Sequence, residues 1–269
     1  MNSGHSTDDL SDSIRYASKI QSAILPEKKY FMKIIPESFI LYLPKDIVSG
    51  DFYWINIKKN RIAVVAADCT GHGVPGAFMS IMGINFLNQI SSNSIQSSNK
   101  ILNQLREYVM KALHQRGNSE DQKDGMDIAC CIFDKERKIV EFSGANNPMI
   151  YFKDGIMFQI KGDRMPIGIS AVEEESFNKT SLSFDDIDIL YIFSDGYADQ
   201  FGGENNRKLK LKGFHEILCN IQNQPFEKHE ELLLQSITTW KGNNEQVDDI
   251  LIIGINLKKW SHEVRSFSN

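Results

Sequence analysis

The chain has 269 residues, 41% of them apolar and 24% charged, with a formal net charge of −5. That is enough apolar material for one substantial core or two modest domains. The acidic balance argues against a nonspecific nucleic-acid binder, since the basic residues cluster only in a short run, Arg207, Lys208, Lys210 and Lys212.

No uncharged apolar run reaches the roughly 20 residues that cross a bilayer, so no membrane insertion is expected. The start, MNSGHSTDDL, lacks the basic-then-apolar order of a signal peptide. Cys69, Cys130, Cys131 and Cys219 form no CxxC pair, and Cys130 and Cys131 lie in the apolar run IACCIF. A reducing, cytoplasmic setting is expected.

In chain order, the first ten or so residues are polar and expected to fray. Ile14, Ala17, Ile20 and Ile24, with Leu25, recur at helical spacing until Pro26. This predicts a short lead-in helix that packs on the domain or extends into a dimer. Strands are predicted at 38–43, 51–57 and 61–67, the last two joined by a tight turn at Lys58, Lys59 and Asn60. The run VVAA is apolar at consecutive positions, as in a strand covered on both faces.

A helix at 77–90 is expected to present Phe78, Ile81, Met82 and Phe86 as its apolar face, and a second helix spans 101–113. QRGNSEDQKDG is a surface loop or a substrate-facing loop. Short strands follow at 126–133, 138–142, 149–152, 156–160, 180–184 and 187–193, then helices at 211–223 and 228–240 and a strand at 249–255. Many hairpins and few strand–helix–strand units disfavour a parallel dinucleotide-binding arrangement. No composition break divides the chain. Residues 1–25 form a tail and lead-in helix, 26–260 the main domain and 261–269 a C-terminal tail.

The acids fall in telling places. Asp51 opens an apolar strand after Ser49 and Gly50, Asp68 closes VVAA, Asp195 follows the apolar ILYIF by one residue, and Asp248 and Asp249 open DDILIIG. Any one of them alone reads as a cap or turn residue. Together, carboxylates at the ends of buried strands face one rim and repel one another, and a divalent cation is a physical reason to gather them. Oxygen ligands suit Mg²⁺ or Mn²⁺, and the lack of a cysteine–histidine cluster argues against zinc. DCTGHG is glycine-rich but is no GxxxxGK[ST] nucleotide loop. His72 is an acid, a ligand or a loop hydrogen-bonder, the last being the favoured reading.

At these residues the chain resembles the metal-dependent serine/threonine protein phosphatases, and most closely the bacterial branch with the stage II sporulation and sigma-regulation phosphatases. IQSAILP, YLPKDIVSGDFYW, AADCTGHGVPGAFMS, FSGANNPMIYF, MPIGI, LYIFSDGYADQFGG and VDDILII follow in that family's order. The resemblance implies an α+β fold, a four-layer α-β-β-α sandwich with two central, mainly antiparallel sheets. It also implies two divalent cations, Mn²⁺ or Mg²⁺, held by Asp51, Asp68, the backbone carbonyl of Cys69, Asp195 and Asp248, with Asp249 the alternative to Asp248. Gly50, Gly71, His72, Gly73 and Gly196 would support the surrounding loops. Asn146 and Asn147 stand where relatives often have Gly-His, so no role of that histidine carries over, while Pro148 keeps the turn.

The implied reaction is hydrolysis of phosphoserine or phosphothreonine by metal-activated water. Asp68 would bridge the cations, Asp195 and Asp248 would hold the first, and Asp51 would orient water at the second. The implied partner is a phosphorylated regulatory protein of the anti-anti-sigma kind, with a homodimer or an upstream sensor as source of control. A catalytically silent scaffold domain and a magnesium-dependent hydrolase of small phosphoesters are the competing readings.

Overall fold

In a computed structural model that describes residues 4–116, 122–170 and 176–266, the apolar runs pair into antiparallel sheets flanked by helices. The expected loop QRGNSEDQKDG falls partly outside those residues. In chain order, α1 (Gly4–Ile24) and α2 (Lys28–Ile34) lead into β1 (Ser38–Leu43), β2 (Phe52–Lys58) and β3 (Arg61–Cys69). Helices α3 (Gly73–Ile90) and α4 (Ser98–Ala112) precede β4 (Met126–Asp134), β5 (Ile139–Ala145), β6 (Met149–Lys153) and β7 (Ile156–Ile160). After β8 (Thr180–Ser183) and β9 (Ile189–Phe193) come the one-turn α5 (Gly196–Asp199) and the small hairpin β10 (Phe201–Gly202) and β11 (Arg207–Lys208). The described chain ends with α6 (Lys210–Ile221), α7 (His229–Lys241), β12 (Ile250–Asn256) and α8 (Leu257–Ser266).

One five-stranded sheet has the order β1-β12-β9-β6-β7 and the other β2-β3-β4-β5-β8. The period of two along β3 explains why two sheets and two helical layers are needed. Ile62, Val64 and Ala66 face the opposing sheet, while Ala63, Val65 and Ala67 face the layer of α3 and α4. Cys130 and Cys131 divide between the same two cores as reduced thiols. A third core lies between the β1-β12-β9 side and α6 and α7. Each fully buried Val, Leu or Ile contributes roughly 1.5–3 kcal/mol, so both faces of such strands must be covered. The result is the expected α-β-β-α sandwich.

Four features differ from the sequence reading. Helix α1 reaches back to Gly4, so most of the segment expected to fray is helical. Helix α3 buries Ala77, Ser80, Ile84 and Leu87 rather than the predicted face, and Phe78 is 71% exposed. Small residues set its rotation: a Cβ on Gly83 would come within 2.9 Å of the Phe52 ring, so the helix backbone lies close on β2. Strand β8 stops at Ser183, where Phe184–Asp186 form a 3₁₀ turn capped by the Ser183 hydroxyl. Helices α2 and α8 were not foreseen; Leu257 and Trp260 of α8 enter the core between the sheets, with Trp260 edge-on to Phe133 at 5.5 Å. Among the described residues, no helix is long and apolar enough to cross a membrane.

Candidate active site

The site grows from the ends of four strands. The Ser49–Gly50–Asp51 approach to β2 runs against the loop that follows β3. A Cβ on Gly50 would lie 2.6 Å from the Gly71 carbonyl oxygen, and Gly71 itself has φ +82°, so both positions favour glycine. Asp68, near the end of β3, pairs in register with Asp127 on β4. On the other sheet, the Ser194 N–H donates to the Leu251 carbonyl at 3.0 Å, which brings Asp195, at the start of α5, beside Asp248. Asp68, Asp127, Asp195 and Asp248 thus line one pocket of about 240 Å³, closed on one side by the loop at 69–72.

Behind the pocket lies Asp51, only 1% exposed, whose Oδ2 accepts a 2.5 Å hydrogen bond from the Ser194 hydroxyl. Burial, and then the repulsion of Asp51, Asp195 and Asp248, pushes the Asp68 carboxyl up to about 10. The Asp68 and Asp195 carboxyls lie close enough to shift one another, Asp68 upwards and Asp195 downwards. Burial is the first cause that raises Asp51, Asp127 and Asp195 as well, and neighbouring carboxylates add to it. Among the described residues, no lysine or arginine lines the pocket. Lys208, paired with Asp199, is the nearby cation that acts on Asp195; the rest of so dense a set of acids favours binding protons or a cation.

Comparison with known proteins supplies the family. The profile described as Stage II sporulation protein E (SpoIIE) matches residues 58–258. The chain belongs to this family, the SpoIIE-type branch of the PP2C phosphatases. It is 23% identical over 248 residues to the Bacillus subtilis phosphoserine phosphatase RsbP; the match covers 91% of this chain and 58% of RsbP. The SiaA-PP2C domain of Pseudomonas aeruginosa superposes with a TM-score of 0.83 at 26% identity, covering 95% of this chain and 99% of that one. The PP2C phosphatase domain of Bacillus subtilis SpoIIE, solved with a fragment of its regulatory domain, shares the fold at a TM-score of 0.64 and 16% identity, covering 81% and 62% of the two chains.

Within this SpoIIE-type domain, Asp68, Cys69, Asp195 and Asp248 line the pocket together with Gly71 and His72. Asp249 faces away. Its two oxygens accept the Lys45 and Gly50 N–H groups, each at 2.7 Å, and so anchor the loop that carries Asp51. Gly196 packs on the Asp249 backbone, where a Cβ would collide with the carbonyl. His72 stands on the exposed rim with Nδ1 2.8 Å from Asp46 Oδ2, a loop contact of the kind favoured by the sequence reading.

Asp127 was missed, although it enters an apolar strand much as Asp51 does. Asn146, in the left-handed region at φ 58°, donates from Nδ2 to Asp127 Oδ1 at 2.8 Å. This turn thus places an amide behind a pocket carboxylate.

Family membership implies divalent metals in general. Among the described residues no three Asp, Glu, His or Cys side chains converge into a ready metal cage. The carboxylates instead ring an open pocket, in part engaging one another and Ser194. Their chemistry still fits: oxygen-only donors of high negative charge suit hard divalent cations that retain water ligands.

Proposed function

We propose that this chain hydrolyses phosphoserine or phosphothreonine on a regulatory protein, with two divalent cations, Mn²⁺ or Mg²⁺, as cofactor. One observation carries the reading: four aspartates from separate elements line a single pocket whose lining, among the described residues, holds no lysine or arginine. Asp68, Asp195 and Asp248, with Asp51 behind them and the Cys69 carbonyl beside them, are the proposed ligands. The cations would neutralise phosphate charge and activate the attacking water.

The chain's own residues position that chemistry. Asp249 holds Gly50, and with it the carboxylate next in sequence, Asp51. Ser194 holds Asp51 against the opposite sheet and accepts the Leu251 N–H at 3.0 Å. Gln21 of α1 grips Ser49 from behind, accepting its N–H at 3.0 Å and donating to its carbonyl at 2.6 Å. An upstream sensor, or a second copy acting on α1, would therefore reach the site through Ser49.

RsbP, a phosphoserine phosphatase by name, supports phosphoserine as the group hydrolysed; a regulatory protein of the anti-anti-sigma kind as its carrier, in a cytoplasmic setting, is proposed from the sequence resemblance. The test is phosphate release from a phosphoserine protein, p-nitrophenyl phosphate and ATP. Turnover of the first two should vanish in EDTA and return with Mn²⁺. Undiminished turnover by verified metal-free protein, or release from ATP alone, would overturn the reading.

A further inference from the structure

A second concavity, of about 930 Å³, lies between α6, α7 and the β10–β11 hairpin, outside the acidic pocket. Its lining includes the apolar side chains of Leu209, Ile217, Leu232 and Trp240, each partly exposed. Arg207, Lys210 and Lys212 rim it, all exposed, and none of the three forms an ion pair among the described residues. Among the described residues, Glu216 is the one acidic side chain in the lining. Lys210 moreover holds φ 64°, a left-handed conformation disfavoured for lysine and persisting only where the surroundings impose it. The three cations thus stand around an apolar floor.

The groove is wired to the pocket through one short segment. Lys208 donates to Asp199 at 2.6 Å, and the Asp199 N–H donates to the Asp195 carbonyl at 2.9 Å. The buried Gln200 accepts, at its backbone carbonyl, the Leu209 N–H at 3.0 Å and the Trp240 indole N–H at 2.9 Å. Its side chain accepts the Val247 N–H at 3.2 Å, next to Asp248. The groove floor and two pocket carboxylates therefore share one rigid support.

We propose that this groove docks an acidic segment, studded with apolar side chains, of the phosphorylated protein substrate. The proposal deepens the phosphatase reading and rests on it. Charge complementarity selects the occupant. The basic rim attracts an acidic segment and the apolar floor gives it a surface to bury. Docking one short helix away would hold the phosphorylated residue near the pocket and raise its effective concentration there.

The test uses the full chain and the combined variant Arg207→Glu/Lys210→Glu/Lys212→Glu, with Lys212→Gln as a milder second variant and thermal melting as the folding control. The first probe is a fluorescein-labelled peptide of about 15 residues, Glu and Asp on one helical face and Leu and Phe on the other. Wild type should bind it and lose affinity with salt. The combined variant should bind it about tenfold or more weakly, Lys212→Gln should fall between, and a lysine-for-glutamate peptide should not bind. The second probe is phosphocasein, an acidic phosphoserine protein. Its KM should rise about tenfold in the combined variant with kcat nearly kept, while kcat/KM for p-nitrophenyl phosphate stays the same.

Equal peptide binding by wild type and the combined variant, or equal phosphocasein KM values, would overturn the docking proposal while leaving the phosphatase reading intact. Binding of ATP but not peptide would assign the groove to a small anion. Loss of self-association without any effect on peptide would assign it to a second copy, and either result overturns the proposal. Failure of both phosphoesters as substrates, with peptide binding unaltered in kind, would instead sink the phosphatase reading and with it the substrate role of the groove.

Discussion

At Asp68 the competing roles of an aspartate can be separated by one atom. Asn keeps the shape and much of the hydrogen bonding but cannot carry the charge a bridging ligand needs. Burial and the neighbouring carboxylates already push the Asp68 carboxyl up to about 10, so the metal-free protein holds it neutral at pH 7.5. Asp68→Asn should therefore melt at or above wild type without metal, because a neutral amide replaces an acid that must otherwise be protonated. Turnover should fall about 10²-fold or more, close to 3 kcal/mol of barrier. A well-folded variant with near-normal phosphate release at low Mn²⁺ would remove Asp68 from the centre of the proposed site.

Residue identity at the pocket was legible only where backbone direction did not matter. Asp68, Asp195 and Asp248 mark the ends of apolar runs, which sequence displays. The choice between Asp248 and Asp249 depends on which of two adjacent side chains faces the pocket, and that is fixed by the loop carrying Lys45 and Gly50, some 200 positions away. Asp127 needed the β3–β4 register, a pairing no local pattern encodes.

Among the elements, the longer strands were readable because alternation and turn residues are local signals. The phase of α3 was not, since its packing is led by Gly76, Ala77, Ser80 and Gly83 rather than by its largest side chains. Helices α2 and α8 are short, and their helicity depends on burying Phe31 in one case and Leu257 and Trp260 in the other. The lead-in helix shows the same limit. Its apolar spacing was visible, but its most specific contact is made by a polar residue: Gln21 is buried, holds Ser49 at both backbone groups and donates to the Ser80 hydroxyl at 2.9 Å. Gln21→Ala strands several buried partners and should destabilise the fold by about 1–3 kcal/mol in urea titrations. Because Ser49 lies two residues before Asp51, Mn²⁺-dependent turnover should fall as well. Unchanged stability and unchanged metal titration would reduce α1 to an ornament on α3.

Across the whole molecule, stability is tied to pH through a residue far from the pocket. His229, fully buried at the start of α7, joins the sheet to the outer helices: Tyr191 of β9 lies 2.8 Å from Nδ1, and the Gln224 carbonyl lies 3.0 Å from Nε2. A carbonyl can only accept, so Nε2 carries the hydrogen and Nδ1 accepts from the Tyr191 hydroxyl; the neutral ring satisfies both neighbours. Burial lowers the His229 pKa below the ordinary value of about 6.5. The unfolded chain then takes up this proton first, so the stability His229 contributes is complete above pH 6.5 and declines as pH falls from there towards the native value. Raised carboxylates such as Asp68 act in the opposite sense, because the native state binds their protons more tightly, and a wild-type curve alone mixes the two. The difference between wild type and His229→Gln isolates the histidine, since His215 and the pocket acids remain in both proteins. Gln should be the less stable at pH 8. The gap should then narrow on acidification, by at most about 1.4 kcal/mol per pH unit between the two His229 pKa values. Urea unfolding of both proteins at several values between pH 8 and 5 reads this directly, and a gap that stays constant across the range would mean that His229 does not couple protonation to folding.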